Sequence, residues 1–398
     1  MKNKLVLNHV KLSTIIFIMI ITAIVSGITS GIIVYSSYGK NTGISYKTIN
    51  NDNSLKEFLE VYNQITTEYY ENVNKSELIE AAISSMLDYL DDNYTTLMDS
   101  NQTNLLNESL KGEYKGIGVY IQEDHKIAEV FDDSPAKAAG ILVNDEIVKV
   151  NNEDVTNKTS SEIASSIKGS NEEEVLISVK RNNEVIDLTV QLSKLYVPAI
   201  STEVIENTSI GYLRLATFSS TVSKQVENAL EKFGEQNITS LIIDLRSNGG
   251  GFLSAAEDVS NIFLEKGKVV YFLKSKNETK EIKDVTSSKT DYKIVVLIDE
   301  NTASAAEILT AALKDSYGAT IVGKKSFGKG KVQQTFRLSN GSMAKYTSAK
   351  WLRPNGECID GVGITPDYEV ELQYEKDKKG NIIDIIDSQL NKAVELLS

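Results

Sequence analysis

The stretch LIIDLRSNGGGFLSAAEDV, residues 241–259, sets the architecture. Leu241–Leu245 reads as a buried apolar strand, Asn248-Gly249-Gly250-Gly251 as a tight turn, and a helix follows from about Ser254 to Leu264. The same unit returns in IVVLIDENTASAAEILTAAL, residues 294–313, as a strand at Ile294–Ile298, a turn, and a helix from Ser304 to Leu313. A further strand is expected at Ala319–Val322. Upstream, Ile210–Leu215 reads as a strand and Val222–Phe233 as a helix. Strand, turn and helix in alternation predict α/β layering. In such sheets, functional groups collect at the carboxyl ends of the strands, where helix N-termini aim their N–H groups.

Both ends carry suggestive residues, and each has a plain structural reading beside the chemical one. Three consecutive glycines let backbone amides approach a ligand oxygen with no Cβ in the way, as oxyanion stabilisation requires. A merely tight loop would look the same. Ser304 and Glu307 have the S-x-x-E spacing of a capping box, which needs no catalysis. A nucleophile at a strand-to-helix turn would also look the same, with the helix N-terminus favouring developing negative charge.

A serine nucleophile needs a base, because a hydroxyl is weak at its free pKa. The chain of 398 residues has two histidines, and His9 lies in the first ten positions. That leaves His125, far from either turn, as the only imidazole for a folded domain. Multi-histidine zinc sites are excluded, and Cys358 has no partner for a disulfide. Lysine can serve if burial lowers its pKa. The run Lys324 to Lys331 offers Lys324, Lys325, Lys329 and Lys331. Lys329 stands between two glycines, and Gln333, four residues on in a strand-like run, shares its face and could orient it.

The formal charge of −13 argues against a nucleic-acid surface. Lys2, Lys4 and Lys11 precede an uncharged apolar run from about Thr14 to Tyr35, long enough to cross about 30 Å of hydrocarbon. The lysines place the tail in the cytoplasm and the rest of the chain outside a bacterial cell membrane. An uncleaved single-pass anchor is preferred to a signal peptide, whose apolar region would be unusually long. The expected organisation is tail and anchor at 1–36, linker at 37–53, a helical region at 54–105, a β-rich module at 106–192 and the α/β core at 193–398. In the helical region, Leu55, Phe58, Leu59, Tyr62 and Ile65, and then Leu78, Ile79, Ala82, Ile83, Met86 and Leu87, predict two core-packing helices. Ser76 is a candidate N-cap for the second.

Between 106 and 192 the period changes to two. Strands are expected at Gly118–Gln122, Ile127–Val130, Glu146–Val150, Val175–Lys180 and Val185–Val190, the last pair joined by an Asn182-Asn183 hairpin turn. The loop Gly116-Ile117-Gly118-Val119 could hold a carboxylate on backbone N–H groups. GIGVYI, DSPAKAAGILVNDEIVKVNNEDV and VLISVKR together resemble a PDZ domain, with Gly140, Asp145, Val150 and Asn151 where that family places them. Asn144 and Asn152 stand where it usually has glycine, and asparagine tolerates a left-handed backbone. The resemblance implies capture of peptide C-termini by the backbone of Ile117, Gly118 and Val119.

Ser304 within NTASAAE, Lys329 within FGKGKVQ, DLRSNGGG before both, and the closing YTSAKWLRPNGECIDGVGITPDYEV resemble the carboxy-terminal processing proteases of serine peptidase family S41. The resemblance spans about residues 55–395. It implies a crotonase-like α/β core with Ser304 as nucleophile, Lys329 as general base and Gln333 as its positioning partner. Ala305 and the Gly249–Gly250 turn would supply the oxyanion N–H groups. That family commonly has proline at the Gly249 position and serine at that of Ala306, so the turn here is expected to be less rigid. The implied activity is endopeptidase action on proteins with nonpolar C-termini, with no metal or organic cofactor, at a membrane, and with assembly of copies left open. A PDZ adaptor with an inactive core and a crotonase-type acyl-CoA enzyme are the competing readings.

Overall fold

The computed structural model describes residues 52–398 apart from 123, 132–133, 169–172, 197, 288–289 and 377–381. The apolar run at 14–35 lies outside the described residues. Among those described, no helix is long and apolar enough to cross a membrane.

Six strands form the central sheet in the order Ile200–Val204, Ile210–Leu215, Ser240–Asp244, Lys293–Ile298, Thr320–Gly323 and Tyr368–Glu369. The first pair is antiparallel and the other four pairs are parallel. Successive side chains of the central strands face opposite layers. Leu241, Ile243, Val296 and Ile298 pack in the cluster that includes the helices Val222–Glu235, Leu253–Phe263 and Ala305–Ala312. Ile242, Val295 and Leu297 pack instead on Leu390, Ala393 and Leu397 of the C-terminal helix. A sheet covered on both faces explains why these strands read as continuous apolar runs.

A second sheet holds the lysine-bearing segment. Lys331–Arg337 pairs antiparallel with the long strand Met343–Leu352, which also pairs with Val269–Ser275 and with the short strand Thr96–Met98. This last pairing ties the N-terminal segment to the core, and no period in the sequence signalled it.

The β-rich module has its own core around Ile127, Ile147, Val150, Ile163, Ile177 and Val190. Asn144 and Asn152 both have positive φ, at 72° and 66°, so they take the conformation for which glycine is usual. Asn182 and Asn183 do likewise at 50° and 69°, joining Glu174–Arg181 to Glu184–Gln191 as the sequence suggested.

Two expectations in the helical region change. The helices Asn53–Glu68 and Lys75–Asp88 form, but neither has a buried residue, and Phe58, Leu59 and Met86 are exposed. Amphipathic spacing predicts a face, not its full cover: Leu78, Ile79, Ala82, Ile83 and Leu87 of the second helix are half-buried, and that helix packs beside the strand Thr96–Met98. The second helix is capped by Asn74, whose side chain accepts from the N–H groups of Ser76 and Glu77.

Candidate active site

The two turns singled out in the sequence are bound to each other. Asp299 accepts from the N–H and the hydroxyl of Ser247 at 2.8 and 3.0 Å, and the Thr302 hydroxyl donates to the Leu245 carbonyl at 2.9 Å. The Ala303 N–H donates to the Asn248 carbonyl at 2.9 Å. Asn248 is buried, with its amide N–H on the Leu215 carbonyl at 2.9 Å. Below the first turn, Arg246 forks onto Asp244 and reaches Asp387 and Gln389 ahead of and within the C-terminal helix. Burial alone would raise the Asp244 carboxyl, but the Arg246 guanidinium beside it holds it low.

Ser304 is fully buried at the N-cap of the helix Ala305–Ala312, with φ 60° and ψ −118°. A non-glycine residue holds such a conformation at a cost of about 1–3 kcal/mol and only where its surroundings enforce it. One enforcing group is Glu307, whose Oε2 accepts from the Ser304 N–H at 2.8 Å. The capping reading of that pair therefore holds, and it does not compete with a chemical one.

Glu307 does more than cap. Its Oε2 also accepts from the Lys329 N–H at 2.9 Å, and its Oε1 accepts from the Gly328 N–H at 2.7 Å and the Ser326 hydroxyl at 2.6 Å. One buried carboxylate thus holds the backbone of the serine turn and of the lysine loop together. Its pKa is raised by burial, while the four donors favour the charged form. Sequence reasoning found the spacing but not this hub, because the lysine loop's donors are distant in the chain.

Lys329 is fully buried, and its carbonyl accepts from the Trp351 indole N–H at 2.9 Å. The loop lies so close to the 359–363 turn that a Cβ at Gly328 would come within 2.7 Å of the Gly363 nitrogen, and one at Gly330 within 2.7 Å of the Asp360 Cβ. Glycine on both sides of the lysine is thus a packing requirement. The Lys329 pKa falls well below the ordinary lysine value, chiefly through burial and further through the nearby Lys345.

Gln333 is fully buried, two register positions along the strand that leaves this loop. Its Nε2 donates to the Thr347 hydroxyl at 3.3 Å, and its Oε1 is buried without a partner. Gly250 lies against the serine turn: a Cβ there would come within 2.9 Å of the Ala305 nitrogen, the Ala303 carbonyl and the Ser304 Cβ. Its own N–H, however, is bonded to Asn248 Oδ1 at 2.9 Å. This corrects the expectation for Gly250 as an N–H donor: it leaves the space beside Ala305 open, and its amide is engaged elsewhere. Gly249 is in the same turn, next to Asn248.

In the β-rich module, Ile117 and Gly118 precede the strand Val119–Ile121, and their carbonyls accept from Ala136 and Phe131. His125 sits in the turn after that strand with φ 63°, remote from Ser304 in the fold's connectivity. Cys358 is exposed.

Comparison with known proteins agrees with this layout. The family model "Peptidase family S41" matches residues 209–370, "PDZ domain" matches 100–192, and "Activating protease CtpB N-terminal domain" matches 34–102. The "Probable CtpA-like serine protease" of Staphylococcus haemolyticus is 32% identical over 369 residues, covering 91% of this chain and 74% of that one. Its counterpart in Staphylococcus epidermidis is 33% identical over 372 residues, with the same coverage. The solved photosystem II D1 C-terminal processing protease shares the fold at a TM-score of 0.50 and 23% identity, over 89% of this chain and 92% of that one. The class is a multidomain α/β serine peptidase carrying a PDZ domain. Within it, the chain belongs to peptidase family S41, among the CtpA-like proteases.

Proposed function

We propose that the chain is a membrane-anchored, extracytoplasmic endopeptidase that captures nonpolar protein C-termini on its PDZ domain and cuts with a Ser304/Lys329 dyad. The observation that supports it most is the pairing of two buried groups on one carboxylate: a serine in a strained helix-capping turn and a lysine stripped of water, both hung on Glu307.

Ser304 Oγ bonds to the scissile carbonyl carbon as its proton passes to the neutral Lys329 amine. The developing oxyanion lies at the N-terminus of the helix Ala305–Ala312, where the Ala305 N–H is the best-placed donor, with Gly249 as the second. Gln333 offers its unpartnered Oε1 to the lysine amine and holds it in line. The C–N bond then breaks, and the lysine proton goes to the leaving amine. Water attacks the acyl-enzyme, giving a proton to Lys329, and the freed Ser304 oxygen takes it back.

The PDZ part rests on the loop at Ile117, Gly118 and Val119, which lies beside a strand edge able to pair an extended peptide. The anchor rests on the apolar run at 14–35 and the lysines before it. The test is cleavage of a peptide library with free or amidated C-termini by wild type and Ser304→Ala. Cleavage lost in the variant and weakened by amidation is expected. Cleavage retained by Ser304→Ala would reject the nucleophile, and equal cleavage of amidated peptides would reject carboxylate capture.

A further inference from the structure

The turn at residues 92–95, between the helix Lys75–Asp88 and the strand Thr96–Met98, sits against the lysine. The Tyr94 ring centroid is 4.6 Å from Lys329 Nζ and 5.4 Å from Lys331 Nζ. Asp92 takes three side-chain bonds: from Lys331 Nζ at 2.8 Å, from the Thr347 hydroxyl at 2.5 Å and from the Thr95 hydroxyl at 2.7 Å. The Thr347 N–H closes the ring onto the Thr95 oxygen at 3.1 Å.

These bonds decide how Gln333 points. With its proton given to Asp92, the Thr347 hydroxyl can only accept from Gln333, so the Gln333 NH2 faces Thr347. The carbonyl end is left buried and without a protein partner. Such an atom is costly unless something reaches it in the working enzyme.

We propose that Asp92 and Tyr94 are positioning residues for the base: the Tyr94 ring closes water away from the Lys329 amine, and Asp92, through Thr347, presents the Gln333 carbonyl to it. The N-terminal segment thereby completes the active site. The inference rests on the reading of Lys329 as the base.

Two effects of the ring oppose each other. Its face attracts an ammonium by about 0.5–2 kcal/mol, which favours the charged form. Excluding water acts the other way: complete burial of an amine is worth as much as about 3–5 pKa units, and the ring supplies a share of it. We take the ring's share of exclusion to be the larger, so removing the ring is expected to let the lysine stay protonated to higher pH. Other groups facing this cluster are Glu307 from the helix, Lys345 from the long strand, Lys331 from the lysine strand and Asp360 from the 359–363 turn.

The test is the pH profile of kcat and kcat/KM on a chromogenic peptide, with the full chain. Tyr94→Ala is expected to move the rising limb up by about one unit, a tenfold loss on that limb, and Tyr94→Phe to restore it. Where Tyr94→Ala does not fold, Tyr94→Ser, which also takes away the ring and admits water, replaces it with the same expected direction. Thr347→Val should lower kcat without moving KM, and should add no further loss on a Gln333→Ala background. A limb unmoved by loss of the ring, or losses at Thr347 and Gln333 that add in full, would overturn the proposal. Full activity in Lys329→Ala would instead reject the base reading on which it rests.

Discussion

Ser304 occupies a backbone conformation that glycine would adopt without strain, at φ 60° and ψ −118°. If that strain serves the reaction, removing it should stabilise the fold and abolish activity. Ser304→Gly is expected to unfold at higher denaturant than Ser304→Ala, by about 1 kcal/mol, with neither variant cleaving; equal midpoints would deny the strain. Gly250 is the converse case. An added methyl would press on the Ala305 nitrogen and the Ser304 Cβ, both 2.9 Å away. Gly250→Ala should lower kcat about a hundredfold or more while the far-UV circular dichroism is kept, if the displaced groups are the reacting ones, as proposed. At Lys329 the sign is fixed by burial: with this lysine as the proposed base and its pKa pushed below the ordinary value, activity is expected to be absent in acid and to rise with pH through that lowered value. Raising ionic strength should leave that limb nearly in place, since buried charges are poorly screened.

At the scale of elements, the serine helix and the lysine strand are joined by one side chain. Glu307, on that helix, accepts four hydrogen bonds from the Ser304 cap and from the loop that leads into that strand. Glu307→Ala would leave four donors facing an unfilled site, a loss of about 3 kcal/mol or more. Glu307→Gln keeps the shape but turns an NH2 towards some of those donors. It should therefore fold less stably than wild type and lose activity more than stability, as read from melting and kcat together. Much of these elements was legible in advance. The apolar runs at 241–245 and 294–298 gave the buried strands, and Asn144, Asn152 and the Asn182-Asn183 pair gave left-handed turns. What escaped was long-range. The Asp92–Lys331 pair spans 239 residues of sequence, and Thr347 reaches Asp92 across 255. Nothing periodic marks such contacts, and the turn at 92–95 carries no motif of its own. The Gly250 N–H was misjudged for a related reason, since only the folded turn shows Asn248 reaching back to take it.

At the scale of the molecule, the parallel sheet aims both turns to one edge, and the C-terminal helix buttresses it from the other face. Arg246 connects the two through Asp244, Asp387 and Gln389. Arg246→Met would leave the buried Asp244 charge without its guanidinium partner, though still bonded to the Tyr212 hydroxyl, a loss of about 3 kcal/mol, and stability should recover in part as pH falls and that carboxyl is protonated. Stability that stays flat in acid would deny the pairing its role. The central claim joins all three scales, and intact-protein mass spectrometry with a fluorophosphonate probe reads it directly. Wild type is expected to gain one adduct, mapped to Ser304, at a rate that climbs with pH, whereas Lys329→Ala should label at least a hundredfold more slowly, as loss of a general base implies. An adduct on another residue, or equal labelling rates in wild type and Lys329→Ala, would contradict it.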